Sequence, residues 1–331
     1  MRKKLGGWLA LGVVWLLLTG CDPMAPQVAV IVVTDAPTLT PTSALSPTPT
    51  LTRTPFPTET PDVTATPTPF PCDEAGSIIA LTFESATARE TLAYDVYIPP
   101  CYQVTLKRFP VVYLLHAEDE NQTQWVDLGI ISALDSGIQL GVLPPMLVVM
   151  PAMGAVGLRN RFPPDPAYET VLLNELMPSV ETDFCTLNNR QQRAIGGISR
   201  GGFWAYSIGL RQPQTFGSVG GHSALLPEDG DDDAAPSAFN PLEIARNSTI
   251  LPGANLRLYL DNAVNDFTAA AIQTLSNRLT ARSIPHSYII NTVGDHNNDY
   301  WAAHLGEYLE FYGRDWERNY SALPSCLEPS P

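Results

Sequence analysis

The sequence predicts an α/β domain with a mostly parallel central sheet and helices on both of its faces. Short apolar segments alternate with segments of helical spacing along most of the chain after residue 72. Several apolar segments, such as 111–115 and 146–150, are continuous instead of alternating, which is typical of strands buried on both faces. One of them leads into a helix through the sharp turn Gly197-Ile198-Ser199-Arg200-Gly201.

The first two predicted strands flank a turn at 85–88 and form a hairpin. The later segments alternate strand and helix, so their strands are expected to be parallel. Strands are predicted at 77–83, 91–98, 109–116, 146–150, 194–198, 216–219, 256–260 and 287–291, and helices at 168–184, 203–210, 266–281 and 300–312.

Residues 1–20 have the organisation of an export signal. The basic start Met1-Arg-Lys-Lys4 is followed by an apolar segment, Leu9 to Leu18, that is too short for a comfortable membrane span. The sequence Leu18-Thr-Gly-Cys21 resembles a bacterial lipobox, in which the cysteine is lipidated and becomes the mature N-terminus. An ordinary secretory signal and an uncleaved N-terminal anchor are the alternatives. All three place the domain on the extracytoplasmic side of the membrane.

Residues 21–71 are predicted to be a disordered linker. Positions 22–71 hold 12 Pro and 13 Thr, a composition that favours extended, polyproline-like chain and supplies no packed core. We interpret this segment as a stalk between the membrane and a single domain at 72–326, with 327–331 as a short tail. The length of that domain suits one substantial hydrophobic core.

The net charge of −15 argues against nucleic acid as a partner. The acidic run 229–233 lacks the ligand spacing of a calcium loop and is interpreted as a solvated loop. No metal site and no organic cofactor are expected. Through the N-terminal lipid, the membrane is an expected partner. The oligomeric state is left open.

Four cysteines follow Cys21, and in an exported chain they predict two disulfides. Cys72 and Cys101 lie equally far from the centre of the predicted hairpin, so they are expected to face each other at its open end. Cys185 and Cys326 then pair by elimination.

The turn at Ser199 is the context in which a strand and a helix expose a nucleophilic serine. Such a serine needs a base, and His296 is placed for this role, after a strand and before the last helix. His116, His222, His286 and His304 are interpreted as structural. The acid that orients the base should follow the strand at 256–260, where Asp261 and Asp266 both qualify, although Asp266 is also a candidate helix cap.

With these parts the domain resembles the esterase D-like family of α/β-hydrolases, which includes S-formylglutathione hydrolases, feruloyl and acetylxylan esterases, and mycolyltransferases. The resemblance covers about 78–312. It is carried by Tyr113-Leu-Leu-His116, Val148-Val-Met-Pro151, Tyr168 with Glu175-Leu-Met-Pro178, 193–202, Arg211-Gln-Pro213, Phe216-Gly217 and Gly294-Asp-His-Asn-Asn-Asp-Tyr-Trp301. It implies Ser199 as nucleophile, His296 as base and, through the family's D-x-G-x-x-D pattern, Asp266 as acid.

The sequence departs from the family pattern at two places. The family commonly has His-Gly where this chain has His116-Ala117-Glu118, and Ala263 stands where the acid loop usually has Gly. The loop at Ala117 and Glu118 is expected to supply one backbone N–H of the oxyanion hole, and Arg200 the other.

The sequence therefore predicts a lipid-anchored, extracytoplasmic serine esterase that works through an acyl-enzyme. Its expected substrate is a small-molecule or carbohydrate-linked ester. The alternatives are an acyltransferase of the mycolyltransferase type and a non-catalytic envelope- or carbohydrate-binding domain on the same fold. Four aromatic residues are interpreted either as pocket lining or as core: Trp125, Phe162, Trp204 and Phe239.

Overall fold

A computed structural model describes residues 29–33, 73–227 and 235–328, the first of these segments by its backbone alone. Its centre is a nine-stranded sheet in the order β1-β9-β8-β7-β6-β4-β5-β3-β2. The strands are β1 Ala29–Val33, β2 Ser77–Ser85, β3 Glu90–Ile98, β4 Val111–Leu115, β5 Leu147–Pro151, β6 Arg193–Ile198, β7 Ser218–His222, β8 Arg257–Ala263 and β9 Ser287–Asn291.

The sheet is mostly parallel, as predicted. Strands β2 and β3 form the expected antiparallel hairpin, and β3 pairs antiparallel with β5. The pairings from β5 through β4, β6, β7 and β8 to β9 are all parallel. Strands β4, β5, β6 and β7 are buried at every position, which explains their continuous apolar or small-residue sequences.

Helices connect these strands and cover the sheet. They are α1 Tyr102–Thr105, α2 Gln124–Asp127, α3 Ile130–Gln139, α4 Gly154–Gly157, α5 Tyr168–Thr170, α6 Met177–Asp183, α7 Arg200–Gly209, α8 Pro241–Asn247, α9 Ala269–Ala281, α10 Asn298–Ala303 and α11 Leu305–Gly313. Among the described helices, none has both the length and the apolar character needed to cross a membrane.

All four predicted helices have different bounds or geometry in the structure. The helix predicted at 266–281 begins three residues later, at Ala269. The helix predicted at 168–184 contains a π-helical segment, Val171–Leu176, between α5 and α6. The helix predicted at 203–210 begins three residues earlier, since Gly201 and Gly202 are helical despite their low propensity. The helix predicted at 300–312 is divided at His304, which has φ −106° and ψ 5°.

The prediction of a disordered linker at 21–71 is wrong at five residues. Ala29–Val33 form β1, which pairs parallel with β9 at the edge of the sheet. This segment is free of Thr and Pro and is rich in β-branched residues, which favour strands. The remainder of the linker, the signal segment and Cys21 lie outside the described residues.

The expected disulfide between Cys185 and Cys326 is present, with Cα atoms 5.6 Å apart. The backbone of each of these cysteines also binds the segment before β4. The N–H of Phe109 donates to Cys185 O, and the N–H of Cys326 donates to Leu106 O. Cys101 is also in a disulfide. Its expected partner, Cys72, lies outside the described residues, so that pairing stays a prediction.

The centre of the sheet is built around the Tyr312 side chain of α11. Its hydroxyl lies so close to β6 and β7 that a Cβ on Gly196 would be 1.7 Å from it, and a Cβ on Gly220 would be 2.3 Å from it. Glycine at these two positions is therefore a packing requirement, because the phenol occupies the space that any side chain would need.

We predict that Gly196→Ala lowers the free energy of unfolding by about 2 kcal/mol or more, because the added methyl group overpacks a fully buried site. Gly306→Ala in α11 is the matched control, since a Cβ there meets nothing within 4 Å. That change should stabilise the helix by up to roughly 1 kcal/mol. Urea unfolding of both variants measures the difference, and equal stability of the two would contradict this account.

Candidate active site

Ser199 lies between β6 and α7 in a conformation that L-residues rarely adopt, with φ 52° and ψ −113°. Its N–H donates to the carbonyl of His222 at the end of β7, over 2.9 Å. A non-glycine residue in this region costs of the order of 1–3 kcal/mol, and such strain is concentrated at functional sites. The chain turns from strand to helix at this one residue, as the sequence predicts.

The two glycines of the motif allow the turn to close. A Cβ on Gly197 would lie 2.3 Å from the carbonyl carbon of Gly201. A Cβ on Gly201 would lie 2.4 Å from the carbonyl oxygen of Leu115, the last residue of β4. The start of α7 therefore packs directly on the end of β4, and this brings Ser199 beside the loop that follows β4.

His296 occupies the loop between β9 and α10 and faces Ser199. Its Nε2 is 2.9 Å from Ser199 Oγ, and its Nδ1 is 3.0 Å and 3.2 Å from the two carboxylate oxygens of Asp266. An ionised carboxylate only accepts hydrogen bonds, so Nδ1 carries the proton and Nε2 accepts from the serine hydroxyl. The structure thus brings together the serine, histidine and aspartate that the sequence selects.

The Asp266 carboxylate is held in its charged form. Burial raises its pKa, but interactions with His296, with the Ser223 side chain and with the backbone and hydroxyl of Thr268 lower it by more, so the net pKa falls below the ordinary value. The Thr268 bonds measure 2.8 Å from N and 2.7 Å from Oγ1, both to Asp266 Oδ1. Asp266 is therefore ionised at neutral pH.

Asp261, the other candidate acid, belongs to a separate and fully buried cluster. One of its oxygens accepts from His222 Nδ1 at 2.8 Å, and the other accepts from the hydroxyls of Tyr300 at 2.8 Å and Tyr308 at 2.9 Å. His222 Nε2 lies 2.9 Å from the Tyr312 hydroxyl. These groups, which we call the Asp261 cluster, connect β7, β8, α10 and α11 beneath the Ser199 turn.

The loop after β4 departs in part from expectation. The N–H of Ala117 donates to Gln124 Oε1 at 2.8 Å, so it does not point to a bound oxyanion in this arrangement. The N–H of Glu118 makes no hydrogen bond among the described residues, and its side chain is exposed. Of the two residues predicted for this loop, Glu118 is therefore the one whose N–H is not already used. Arg200 provides the first N–H of α7.

Gln124 is a residue that sequence reasoning missed. It is buried, and besides accepting from Ala117 it donates from Nε2 to Asn298 Oδ1 at 2.9 Å. Asn298 is the first residue of α10, two positions after His296. Gln124 thus ties the loop after β4 to the loop of His296, and no local sequence signal shows a contact that spans 174 residues.

The remaining histidines are held in structural contacts. His116 bonds Ala117 O through Nδ1 and accepts from the N–H of Met153 at Nε2. Burial lowers the pKa of His116, which favours the neutral ring that this pattern requires. His286 lies between Ser276 Oγ and Ile284 O, and His304 is 3.2 Å from Glu307.

Exposed apolar side chains border His296. Phe267, directly after Asp266, is 70% exposed, and its ring centroid is 4.4 Å from that of His296. Val264 and Val293, from the loops after β8 and β9, are also exposed. The buried edge of His296 meets Trp301 at 5.0 Å. The four aromatic residues considered in the sequence are core instead: Trp125, Phe162 and Trp204 are buried and Phe239 packs on Phe162.

The three side chains follow the chain order serine, aspartate, histidine, and they project from the carboxyl ends of β6, β8 and β9. This order and this sheet are those of the α/β-hydrolases. The fold predicted from the sequence is confirmed.

Residues 85–312 match the model of the family described as Putative esterase. The chain belongs to this family, which confirms the resemblance seen in the sequence. Among sequence relatives, an endo-1,4-beta-xylanase/feruloyl esterase of Xylanibacter ruminicola is 33% identical over 48% of this chain and 23% of its own length. An esterase of Mycobacterium tuberculosis is 29% identical over 39% of this chain and 28% of its own length. The chain thus spans less than a third of either relative.

Solved structures show the same fold. A ferulic acid esterase superposes with a TM-score of 0.67 at 24% identity, covering 73% of this chain and 99% of the other. An S-formylglutathione hydrolase from Staphylococcus aureus superposes with a TM-score of 0.57 at 18% identity, covering 72% of this chain and 98% of the other.

We predict that Asp261→Asn lowers the free energy of unfolding by roughly 3 kcal/mol. The amide replaces an acceptor of three hydrogen bonds and directs its own N–H groups at donors. Asp295→Asn, the same change at an exposed position, should stay within about 0.5 kcal/mol of the parent. Thermal or urea unfolding measures both, and an unchanged midpoint for Asp261→Asn would contradict the structural role of the cluster.

Proposed function

We propose that this domain is a serine esterase in which Ser199, His296 and Asp266 form the catalytic triad. The observation that carries the proposal is the continuous chain of hydrogen bonds from Ser199 Oγ through His296 to Asp266, at 2.9 Å and 3.0 Å. Ser199 is the nucleophile, His296 the base and acid, and Asp266 holds the imidazole tautomer and stabilises its charged form.

In the first half of the reaction, Ser199 Oγ bonds to the ester carbonyl carbon while His296 Nε2 takes its proton. The carbonyl π pair moves to oxygen, and the N–H groups of Arg200 and Glu118 stabilise that oxyanion. The C–O bond to the alcohol then breaks, and His296 returns its proton to the alcohol oxygen. Water repeats these steps on the acyl-enzyme and releases the carboxylic acid.

Ser199→Ala should reduce kcat/KM for p-nitrophenyl acetate and methyl ferulate by at least about 1,000-fold, because it removes the nucleophile. Asp266→Asn should have an effect of the same order through the wrong histidine tautomer. Steady-state kinetics on folded protein measures both losses. Asp295→Asn controls for the loss of one nearby negative charge. Turnover of the folded Ser199→Ala protein at the parent rate would refute the triad.

We propose carboxylic esters that carry no charge next to the scissile bond and have a carbohydrate or aromatic part as the substrate class. The relatives include proteins named as feruloyl esterases and as an S-formylglutathione hydrolase. Three acidic residues follow β4 at 118–120, and Asp295 and Asp299 flank His296, with no Lys or Arg between 117 and 129 or between 292 and 303. Such a border repels an anionic leaving group such as glutathione. The same assay should therefore favour methyl ferulate over S-formylglutathione, and the reverse order would exclude this class.

We further propose that Cys21 is the lipidated N-terminus and that the Thr/Pro-rich segment holds the domain outside the cytoplasmic membrane. The support is the basic start, the short apolar segment and Leu18-Thr-Gly-Cys21. Two or more acyl chains anchor a protein stably, whereas one does not. Mass spectrometry of the mature protein should find a lipid-modified Cys21, and Cys21→Ser should abolish the modification. A mature N-terminus elsewhere, without lipid, would refute the anchor alone.

A further inference from the structure

Three arginines line one cavity at the edge of the sheet that also carries the triad. Arg89 lies in the turn between β2 and β3, and Arg159 and Arg161 lie in the loop between β5 and α5. The cavity measures about 280 Å³, and its remaining walls are small or apolar, including Ala88, Ala155, Val156 and Pro166. Three guanidinium groups on one concave surface are unexpected in a chain with 34 acidic and 19 basic residues.

The arginines are not explained by ion pairing within the described residues. No carboxylate of that part of the chain lies within salt-bridge distance of any of the three, and none of their side chains makes a hydrogen bond there. Two carboxylates that border the β2–β3 turn are engaged elsewhere. Glu90 Oε1 accepts from the N–H of Ala155 at 3.0 Å, and Glu175 accepts from the N–H and the hydroxyl of Thr87. All three arginines are exposed, so their positive charges face solvent and no carboxylate of the described residues neutralises them.

Arg89 has an unfavourable backbone conformation. Its φ is 60°, in the left-handed region where Gly or Asn is usual, and its N–H closes the turn onto Ser85 O at 2.8 Å. A glycine would form the same turn without strain. An arginine at this position is consistent with a use for its side chain, which lines the cavity.

The loop with the other two arginines contacts the nucleophile turn. Gly157 O accepts from Arg200 Nε at 3.2 Å and from Trp204 Nε1 at 2.7 Å, two residues before Arg159. In the sheet, β5 is separated from β6 by β4 alone, so the ends of β5 and β6 are about 10 Å apart. The cavity lies beyond β5, so a ligand bound at Ser199 has to extend past the ends of β4 and β5 to reach it.

We propose that this cavity binds a carboxylate- or phosphate-bearing group of sugar size, carried by the substrate at a distance from its scissile ester. Guanidinium groups recognise both oxyanions with paired hydrogen bonds. The volume is at the lower end of ligand sites and suits one sugar unit. The apolar walls suit the C–H faces of its ring. The cavity thus favours an acidic group on one part of the substrate. The acidic border of the triad favours an uncharged group next to the scissile ester. This deepens the proposed function and rests on it only for the link to catalysis.

Binding is measured directly on Ser199→Ala protein, so the outcome does not depend on esterase activity. Isothermal titration at fixed ionic strength uses glucuronate, glucose 1-phosphate and, as the neutral analogue, glucose. We expect saturable binding of at least one of the two anions and none of glucose, and the stronger anion identifies a carboxylate or a phosphate source. Saturable binding of glucose with equal affinity, or no saturable binding of either anion, would overturn the proposal.

The paired variants separate a local site from general electrostatics. Arg159→Gln with Arg161→Gln removes two positive charges at the cavity and should weaken anion binding at least tenfold. Arg314→Gln with Arg318→Gln removes two exposed charges elsewhere and should weaken binding less than twofold. An equal loss in both pairs would show that only the overall field acts. If the binding results hold while the ester assays fail, the cavity stands and the triad assignment does not.

Discussion

The hydrogen bond between His222 and Asp261 is the contact on which the rest of the site depends. Both side chains are fully buried, and a buried carboxylate is stable only when its lone pairs are satisfied. Here His222, Tyr300 and Tyr308 satisfy them, and the Tyr308 ring stacks on the His222 ring with centroids 3.6 Å apart. The Asp261 cluster therefore fixes the ends of β7 and β8 to the two last helices.

Each member of the triad is attached to this cluster through the backbone. Ser199 donates its N–H to the carbonyl of His222, Asp266 follows β8 five residues after Asp261, and His296 lies four residues before Tyr300 of α10. Tyr300 also accepts from Asn291 Nδ2 at the end of β9. The three loops are far apart in sequence, but each is attached to the same rigid set of buried groups. A catalytic geometry that is precise to a few tenths of an ångström requires such support.

Negative and positive charges lie in different places around the site. Acidic residues border the triad, whereas the three arginines lie beyond β5 and away from it. A carboxylate next to the oxyanion would oppose catalysis, but Glu118 is exposed, and the high dielectric constant of the surrounding water weakens its field. In the proposed esterase, groups outside the triad then discriminate among esters.

The sequence by itself determined the α/β class and the strand–serine–helix turn, and it selected His296 as the candidate base and the four cysteines after Cys21 as disulfide candidates. These depend on local signals: apolar periodicity, glycine next to serine, and chain order. It left Asp261 and Asp266 as equal candidates on the residues alone, because each follows the same strand. Only the family pattern favoured Asp266, and only the packing shows that Asp261 faces His222 and two tyrosines inside the core.

Tertiary structure alone decided the contacts made over long separations. Four of these contacts join residues that no local pattern of the sequence relates. They are the Gln124 bridge, the hydrogen bond of the Ala117 N–H, the space that Gly196 and Gly220 leave for Tyr312, and the cavity that Arg89 shares with Arg159 and Arg161. The division of the last helix at His304 and the strand formed by Ala29–Val33 are of the same kind. Both depend on neighbours that the local pattern does not contain, because tertiary packing overrides weak propensities.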